Sequence, residues 1–224
     1  MAEVVDLCSS DEEEQHLVGI ITLNSWLSTD HLTLWAELMN EHAARQRGQL
    51  GTVLFCAARP LSGLHGSIGS LGFAASNSAK LFVMPFAHRS HFFLVGIRDG
   101  VVRYFLDPMS MAQRTLSAFQ KASIRSIQSA VDGCSPDLDS IATGAAAWQQ
   151  LLLAPSVHPQ WQDAAAGDGY NCGVFCCLYM WEILHRRPWA GGDVATFRQH
   201  VATQLDCWWQ PTVGMKRRLR SSSI

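Results

Sequence analysis

No stretch of this sequence is apolar for long enough to cross a bilayer. The longest apolar run, Gly173 to Trp181, falls far short of the roughly 20 residues a spanning helix requires. Met1-Ala2-Glu3 lacks the basic start and apolar core of a secretory signal. A disulfide framework is missing too: Cys8, Cys56, Cys134, Cys172, Cys176, Cys177 and Cys207 make an odd count of seven without regular spacing. Cys172, Cys176 and Cys177 with His158 or His185 lack the paired spacing of a zinc site, so neither metal nor cofactor is expected. Reduced thiols point to the nucleus or cytoplasm. Charge is sparse at 16% of residues, with a net value of −2. No general attraction to nucleic acid or anionic membrane follows, and neither is expected as a partner. There is no internal repeat.

What is present is 48% hydrophobic residues in a chain of 224, enough for one well-cored domain. Leu32, Trp35, Leu38 and Met39 recur at helical spacing after Thr29 or Asp30, either of which can cap. Thr52–Ala57 suits a short strand or a buried helical turn, and Leu61–Ser78, rich in Gly, Ser and Ala, a loop. Three strands are expected: Leu81–Met84, stopping at Pro85, then His91–Ile97 and Val101–Leu106. Asp99-Gly100 between the last two is a hairpin signal. Met109–Ser129 reads as a broken helix, Val131–Thr143 as a loop, and Trp148–Leu153 as a strand. Gly173–Leu184 is a helix with almost no polar face and belongs at the centre. Thr196–Leu205 is a last amphipathic helix. Strands in the middle with helices at both ends give an α+β domain.

Cys172 stands at the mouth of the apolar helix, where free N–H groups favour negative charge on a thiol. Gly169 and Gly173 leave room for an approaching backbone, whereas burial keeps Cys176 and Cys177 inert. His91 opens one strand and Asp107 closes the next, so pairing across Asp99-Gly100 brings them together. An aspartate there fixes the imidazole's tautomer. His88 is the alternative imidazole, but it precedes the strand. A buried structural thiol at Cys172 and a plain strand-end role for Asp107 are the bland readings of the same residues. His31 reads as a satisfied helix residue, and Trp26 and Trp35 as core.

Ser25–Leu32, Val83-Met84-Pro85 with Ser90-His91-Phe92, Tyr104–Asp107, Pro159–Gln162 and Asn171–Phe175 occur in one order across residues 24–185. Together they resemble the motifs of the ubiquitin-like-protein-specific (SUMO, or sentrin-specific) cysteine proteases. The resemblance implies a papain-like fold with a central mixed sheet and a buried nucleophile-bearing helix. It implies cleavage after the C-terminal di-glycine of SUMO or a related modifier. Cys172 would be the nucleophile, His91 the base and Asp107 its orienter, with Gln162 and the Cys172 N–H stabilising the oxyanion. Trp26 and Phe92 would border the substrate. The chain departs from the pattern in three places. Phe92 replaces a tryptophan, Asn171 an aspartate, and Ala166 stands where the oxyanion glutamine is usual, with Gln162 and Gln160 further upstream. A deneddylase, a non-catalytic SUMO-binding adaptor and a related cysteine acyltransferase stay open as alternatives.

The ends differ from the body. Val4-Val5-Asp6-Leu7, followed by Ser9-Ser10 and Asp11–Glu14, resembles a SUMO-interacting motif, with Val4, Val5 and Leu7 as the binding residues. A solvated acidic arm is the plainer reading. Lys216–Arg220 is basic, either a nuclear localisation signal or a solvated terminus. The expected organisation is an acidic tail at 1–18, a protease domain at 19–212 and a basic tail at 213–224, acting as a monomer.

Overall fold

Asp99 and Gly100 have φ of 54° and 72°, the left-handed pair that a two-residue hairpin demands. They join β4 (His91–Arg98) to β5 (Val101–Leu106) in antiparallel register. The computed structural model describes residues 21, 25–46, 53–62, 64, 81–132, 136–154, 159–163 and 168–208. The expected tails at 1–18 and 213–224, and most of the 61–78 loop, lie outside the described residues.

Upstream of this hairpin lie α1 (Thr29–Arg45), β1 (Val53–Phe55), β2 (Arg59–Pro60) and β3 (Leu81–His88). Downstream come short 3-10 turns at Pro108–Ser110 and Leu138–Ser140, with α2 (Ala118–Asp132) between them. Then follow β6 (Ala142–Thr143), α3 (Gly144–Leu152), α4 (Cys172–His185) and α5 (Val194–Trp208). The mixed sheet runs β1-β3-β4-β5-β6, with β2 also on β3. The β1/β3, β2/β3 and β5/β6 pairs are parallel and the two central pairs antiparallel. The class is α+β, as the order of strand and helix signals implies.

Both sheet faces are covered, with side chains alternating as the pleat requires. Val83, Leu94, Tyr104 and Leu106 share one buried cluster with α1, α3, α4 and α5. Met84, Phe93, Val95 and Phe105 face the other way, onto Ile124 and Ile127 of α2. Among the described residues α4 is buried along its whole apolar length, from Cys172 to Leu184. It is held from α1 by the Trp35 indole, which donates to the Cys177 carbonyl at 3.0 Å.

Several expectations are corrected. β3 does not stop at Pro85 but continues to His88. Pro85 sits where the ladder to β1 has ended at Val83 and that to β2 has not begun at Phe86, so its missing N–H costs little. Trp148–Leu153 is helix, not strand. Gly144–Leu152 carries three alanines, and Leu153 caps its end at φ 58°. The residues after Asp107 form a 3-10 turn, and α2 begins only at Ala118. β6 emerges from the stretch read as loop. Ser28 is the true cap of α1, in a capping box whose other half is His31. Trp35 is core, whereas Trp26 is 48% exposed.

Glu182 is the charged exception inside the buried length of α4. Its carboxylate accepts from the Trp148 indole at 2.7 Å and the Trp189 N–H at 2.8 Å, tying α3 and the chain after α4 to the central helix. Burial pushes its pKa up to about 7 against those bonds. Glu182→Ala leaves a buried indole N–H without its acceptor and opens a small void. The expected loss is about 2–4 kcal/mol, read by urea denaturation. A loss below about 1 kcal/mol would show that the pairing contributes little.

Candidate active site

The thiol, the imidazole and the carboxylate arrive from three elements. Cys172 is the first residue of α4, His91 the first of β4, and Asp107 directly follows β5. A second two-residue hairpin, His88–His91, sets the imidazole's position. Its turn, Arg89-Ser90, places Arg89 at φ 53°. The Ser90 carbonyl lies 3.9 Å from Cys172 Sγ, so the hairpin end rests against the thiol.

His91 Nε2 and Asp107 Oδ1 are 2.8 Å apart. Nε2 thus faces the carboxylate, and Cys172 lies close enough to the ring to bias its charge. Burial opposes charge on the His91 imidazole. The bonds to Asp107 and Cys172, and the charges they carry, outweigh that and push its pKa up to about 9. Burial likewise opposes charge on Asp107, yet His91, the Met109 N–H and Gln120 hold its carboxyl below the usual range. His88 is directed elsewhere, with its ring 4.9 Å from that of Phe119.

Gln120 is a residue the sequence reading missed. It is 1% exposed and donates from Nε2 to Asp107 Oδ2 at 3.2 Å, while its Oε1 accepts from the Ser117 N–H at 2.9 Å. With Met109 N–H on Oδ1 at 3.0 Å, each Asp107 oxygen is fixed. The only signal in sequence is a buried polar residue in the first turn of α2, and nothing local ties it to Asp107.

Asn171 precedes the thiol and makes no side-chain cap on α4. Its Oδ1 is taken instead by Arg198 of α5, from Nε at 3.2 Å and Nη2 at 2.7 Å. The same guanidinium donates from Nη1 to the Ser25 carbonyl at 2.7 Å and lies over the Tyr170 ring. Arg198 is 2% exposed. One planar fork therefore holds the residue before Cys172 and the residue before Trp26. The diverted cap leaves no side chain on the first N–H groups of α4, the end that favours negative charge.

Gly173 serves packing, not substrate access. A Cβ there would lie 3.0 Å from Leu27 Cβ and 3.3 Å from Leu32 Cδ1, whereas Gly169 faces open space. Phe92 is 7% exposed, in the same buried cluster as Leu27 and Cys172, and its ring offers little surface to a substrate. Trp26 is open. Gln162 is 3% exposed. Its N–H donates to the Pro108 carbonyl at 3.1 Å and its Nε2 to the Asp168 carbonyl at 2.8 Å, which lodges it between the Asp107 turn and the chain entering α4. Among the described residues its buried Oε1 has no hydrogen-bond partner. Gln160 points away, to the Gly192 carbonyl at 3.1 Å. Trp161 and Met109, 52% and 49% exposed, flank the Pro108 turn. Burial raises the Cys176 and Cys177 thiols well above their ordinary value. Val4, Val5 and Leu7 lie outside the described residues. No group of His, Cys, Asp and Glu among the described residues has the geometry of a metal site, and no described helix is long and apolar enough to cross a membrane.

No family model matches the sequence, and no curated protein matches it. Solved structures with a similar course of chain include the SUMO protease Ulp1 with its catalytic cysteine oxidized to a sulfenic acid. That structure has a TM-score of 0.49 at 11% identity, over 92% of this chain and 97% of that one. The Ulp1-like SUMO protease catalytic domain of Chaetomium thermophilum gives a TM-score of 0.48 at 18% identity, over 81% and 72%. These values lie below those at which a likeness identifies a family or an activity.

Two measurements probe this geometry. In an NMR titration the His91 imidazole should deprotonate near pH 9, falling toward 6.5 in Asp107→Asn. Its folded pKa is raised, so the stability it contributes is complete below about pH 6.5 and is lost as pH rises through about 9. A wild-type midpoint near 6.5 would mean that the ion pair does not form. For the clamp, Arg198→Met should slow iodoacetamide alkylation of Cys172 by about 10²-fold, the scale of a misplaced reacting group. Asn171→Asp, which keeps the acceptor, should react like wild type. Equal rates in all three proteins would remove Arg198 from the site.

Proposed function

We propose that this chain is a thiol-dependent peptidase or isopeptidase that cleaves after the C-terminal di-glycine of SUMO or a related ubiquitin-like modifier. One observation carries the reading: His91, hydrogen-bonded to Asp107, sits beside Cys172 at the uncapped start of a buried helix. Nothing in a structural core requires an imidazolium between a thiol and a doubly anchored carboxylate. Nucleophilic thiol catalysis does. The motif order across residues 24–185 supports the substrate class, as does the exposed Trp26 beside the thiol-bearing turn.

In this mechanism the Cys172 proton rests on His91 Nδ1 in the resting pair, and the thiolate attacks the glycine carbonyl carbon. The α4 N–H groups, and the second amide hydrogen of Gln162, stabilise the oxyanion. The imidazolium returns its proton to the leaving amine as the acyl-enzyme forms. Water then attacks, His91 again taking a proton, and releases the modifier's carboxylate. Asp107 holds the ring and stabilises its charge without itself protonating. The segment around Val4, Val5 and Leu7 tethers SUMO non-covalently, and the protein works in the nucleus or cytoplasm.

A panel of vinyl sulfone probes built on SUMO, NEDD8 and ubiquitin tests the proposal. Covalent capture of the SUMO probe is expected for wild type, Cys176→Ala and Cys177→Ala, and none for Cys172→Ala. Undiminished capture by Cys172→Ala would overturn the nucleophile. Capture confined to the NEDD8 probe would move the substrate to that modifier.

A further inference from the structure

At the far end of α4 from Cys172, a cavity of about 520 Å³ opens between the Asp99-Gly100 hairpin, the end of α3 and the end of α4. Its lining is apolar at Val53, Leu81, Leu151, Leu153 and Ile183, with Arg98 and Arg186 beside them and one carboxylate, Asp99. Three of the four non-glycine residues with positive φ among the described residues line it: Asp99 at 54°, Leu153 at 58° and Arg186 at 51°. An aspartate tolerates that conformation in a hairpin turn. A leucine does not tolerate it well, and helix ends of this kind favour glycine.

Leu153 is unfavourable twice over. It holds a left-handed backbone and leaves its side chain 74% exposed, and glycine would relieve both. A residue costly in two independent ways at one cavity suits a binding surface better than a packing role. The cavity's chemistry, apolar with two guanidiniums against one carboxylate, calls for an occupant that is apolar and acidic. The chain carries such a segment: Val4-Val5-Asp6-Leu7 followed by Asp11-Glu12-Glu13-Glu14. We propose that the cavity between Leu153 and Arg186 is an intramolecular docking site for this N-terminal segment.

The reach is sufficient. Ser25 is held by Arg198 at the Cys172 end of α4, and the 14 residues of α4 span about 21 Å. The chain from Leu7 to Ser25 extends to as much as about 60 Å. Docking places the segment away from Cys172, so it does not cover the thiol. If the same segment takes a modifier in trans, as the proposed function holds, the two occupants compete for it.

The test uses the ¹⁵N-labelled full chain and needs no modifier, so it is decided whether or not the peptidase assignment stands. The amide signals of Arg98, Leu151, Leu153 and Arg186 are compared between wild type and the full-chain variants Val5→Asp and Leu7→Asp. These signals are expected to shift in both variants and to move back when a synthetic peptide of residues 1–16 is added to the Leu7→Asp chain. Raising the salt should weaken the peptide's effect. Leu153→Gly separates binding from folding: its Tm should stay level or rise while the response to the tail variants disappears. Unchanged signals in Val5→Asp and Leu7→Asp would overturn the proposal. So would a tail response confined to the residues around Trp26 and Cys172, a response that grows with protein concentration (a second copy as occupant), or a sharply lowered Tm in Leu153→Gly.

Discussion

The buried guanidinium of Arg198 is the constraint on which the site's geometry depends. α4 has no polar face with which to register itself, and an apolar cylinder in an apolar core is free to rotate or slide at little cost. Directional bonds must fix it. Arg198 supplies them at the Cys172 end, through the two contacts on Asn171 Oδ1 and one on the Ser25 carbonyl. Trp35 on the Cys177 carbonyl and Glu182 on the Trp148 indole supply them further along. The planar fork matters, because a lysine ammonium in the same place would not present coplanar donors to two acceptors. Asn171 thus offers the guanidinium an acceptor without bringing a second charge into the core.

With α4 fixed, the other two groups are set by sheet register. His91 opens β4 because a tight turn at Arg89-Ser90 ends β3, and Asp107 follows β5 because the Asp99-Gly100 turn begins it. A bulge between Gly96 and Ile97 lies between those two points, where the Tyr104 ring fills the space a Cβ on Gly96 would need, at 2.8 Å. The site is thus assembled from strand ends rather than from mobile loops, and Gln120 then locks the aspartate from α2, on the opposite sheet face to α4.

What was legible in sequence is what local chemistry dictates. The Asp99-Gly100 hairpin and the buried α4 follow from turn residues and periodicity, while Cys172, His91 and Asp107 as a set rest on the helix mouth, the hairpin spacing and the motif resemblance together. Long-range contacts were not legible. Nothing near Gln120 or Arg198 in the chain announces Asp107 or Asn171, because those partners are 13 and 27 residues away. Pro85 marks a strand end in the sequence, and the Arg89-Ser90 turn lacks the Asn or Gly that would have pointed β3 on to His88. Trp148–Leu153 carries bulky residues suited to either structure. The alanines before it, which belong to the helix, settle the matter only when read with it. Gly173 shows a further limit, since its need for a missing side chain was visible but not the neighbour responsible, Leu27.

The three thiols of α4 show how position alone divides chemistry among like residues. Cys172, Cys176 and Cys177 lie within two turns of one helix, and each is at most 1% exposed. Exposure therefore does not distinguish them; partners do. Cys176 and Cys177 are surrounded by apolar side chains, so ionising either strands a charge in the core and their pKa values rise. Cys172 has equally little contact with solvent but meets an imidazole already biased toward its charged form by Asp107. Transferring the proton between them leaves a pair of opposite charges in contact, at a helix end whose dipole favours the negative one. The cost of burying a charge silences the inner thiols, whereas Cys172 is set against polar groups, the Ser90 carbonyl and the His91 ring. The same apolar helix thus surrounds two of its cysteines with apolar side chains and sets the third beside His91.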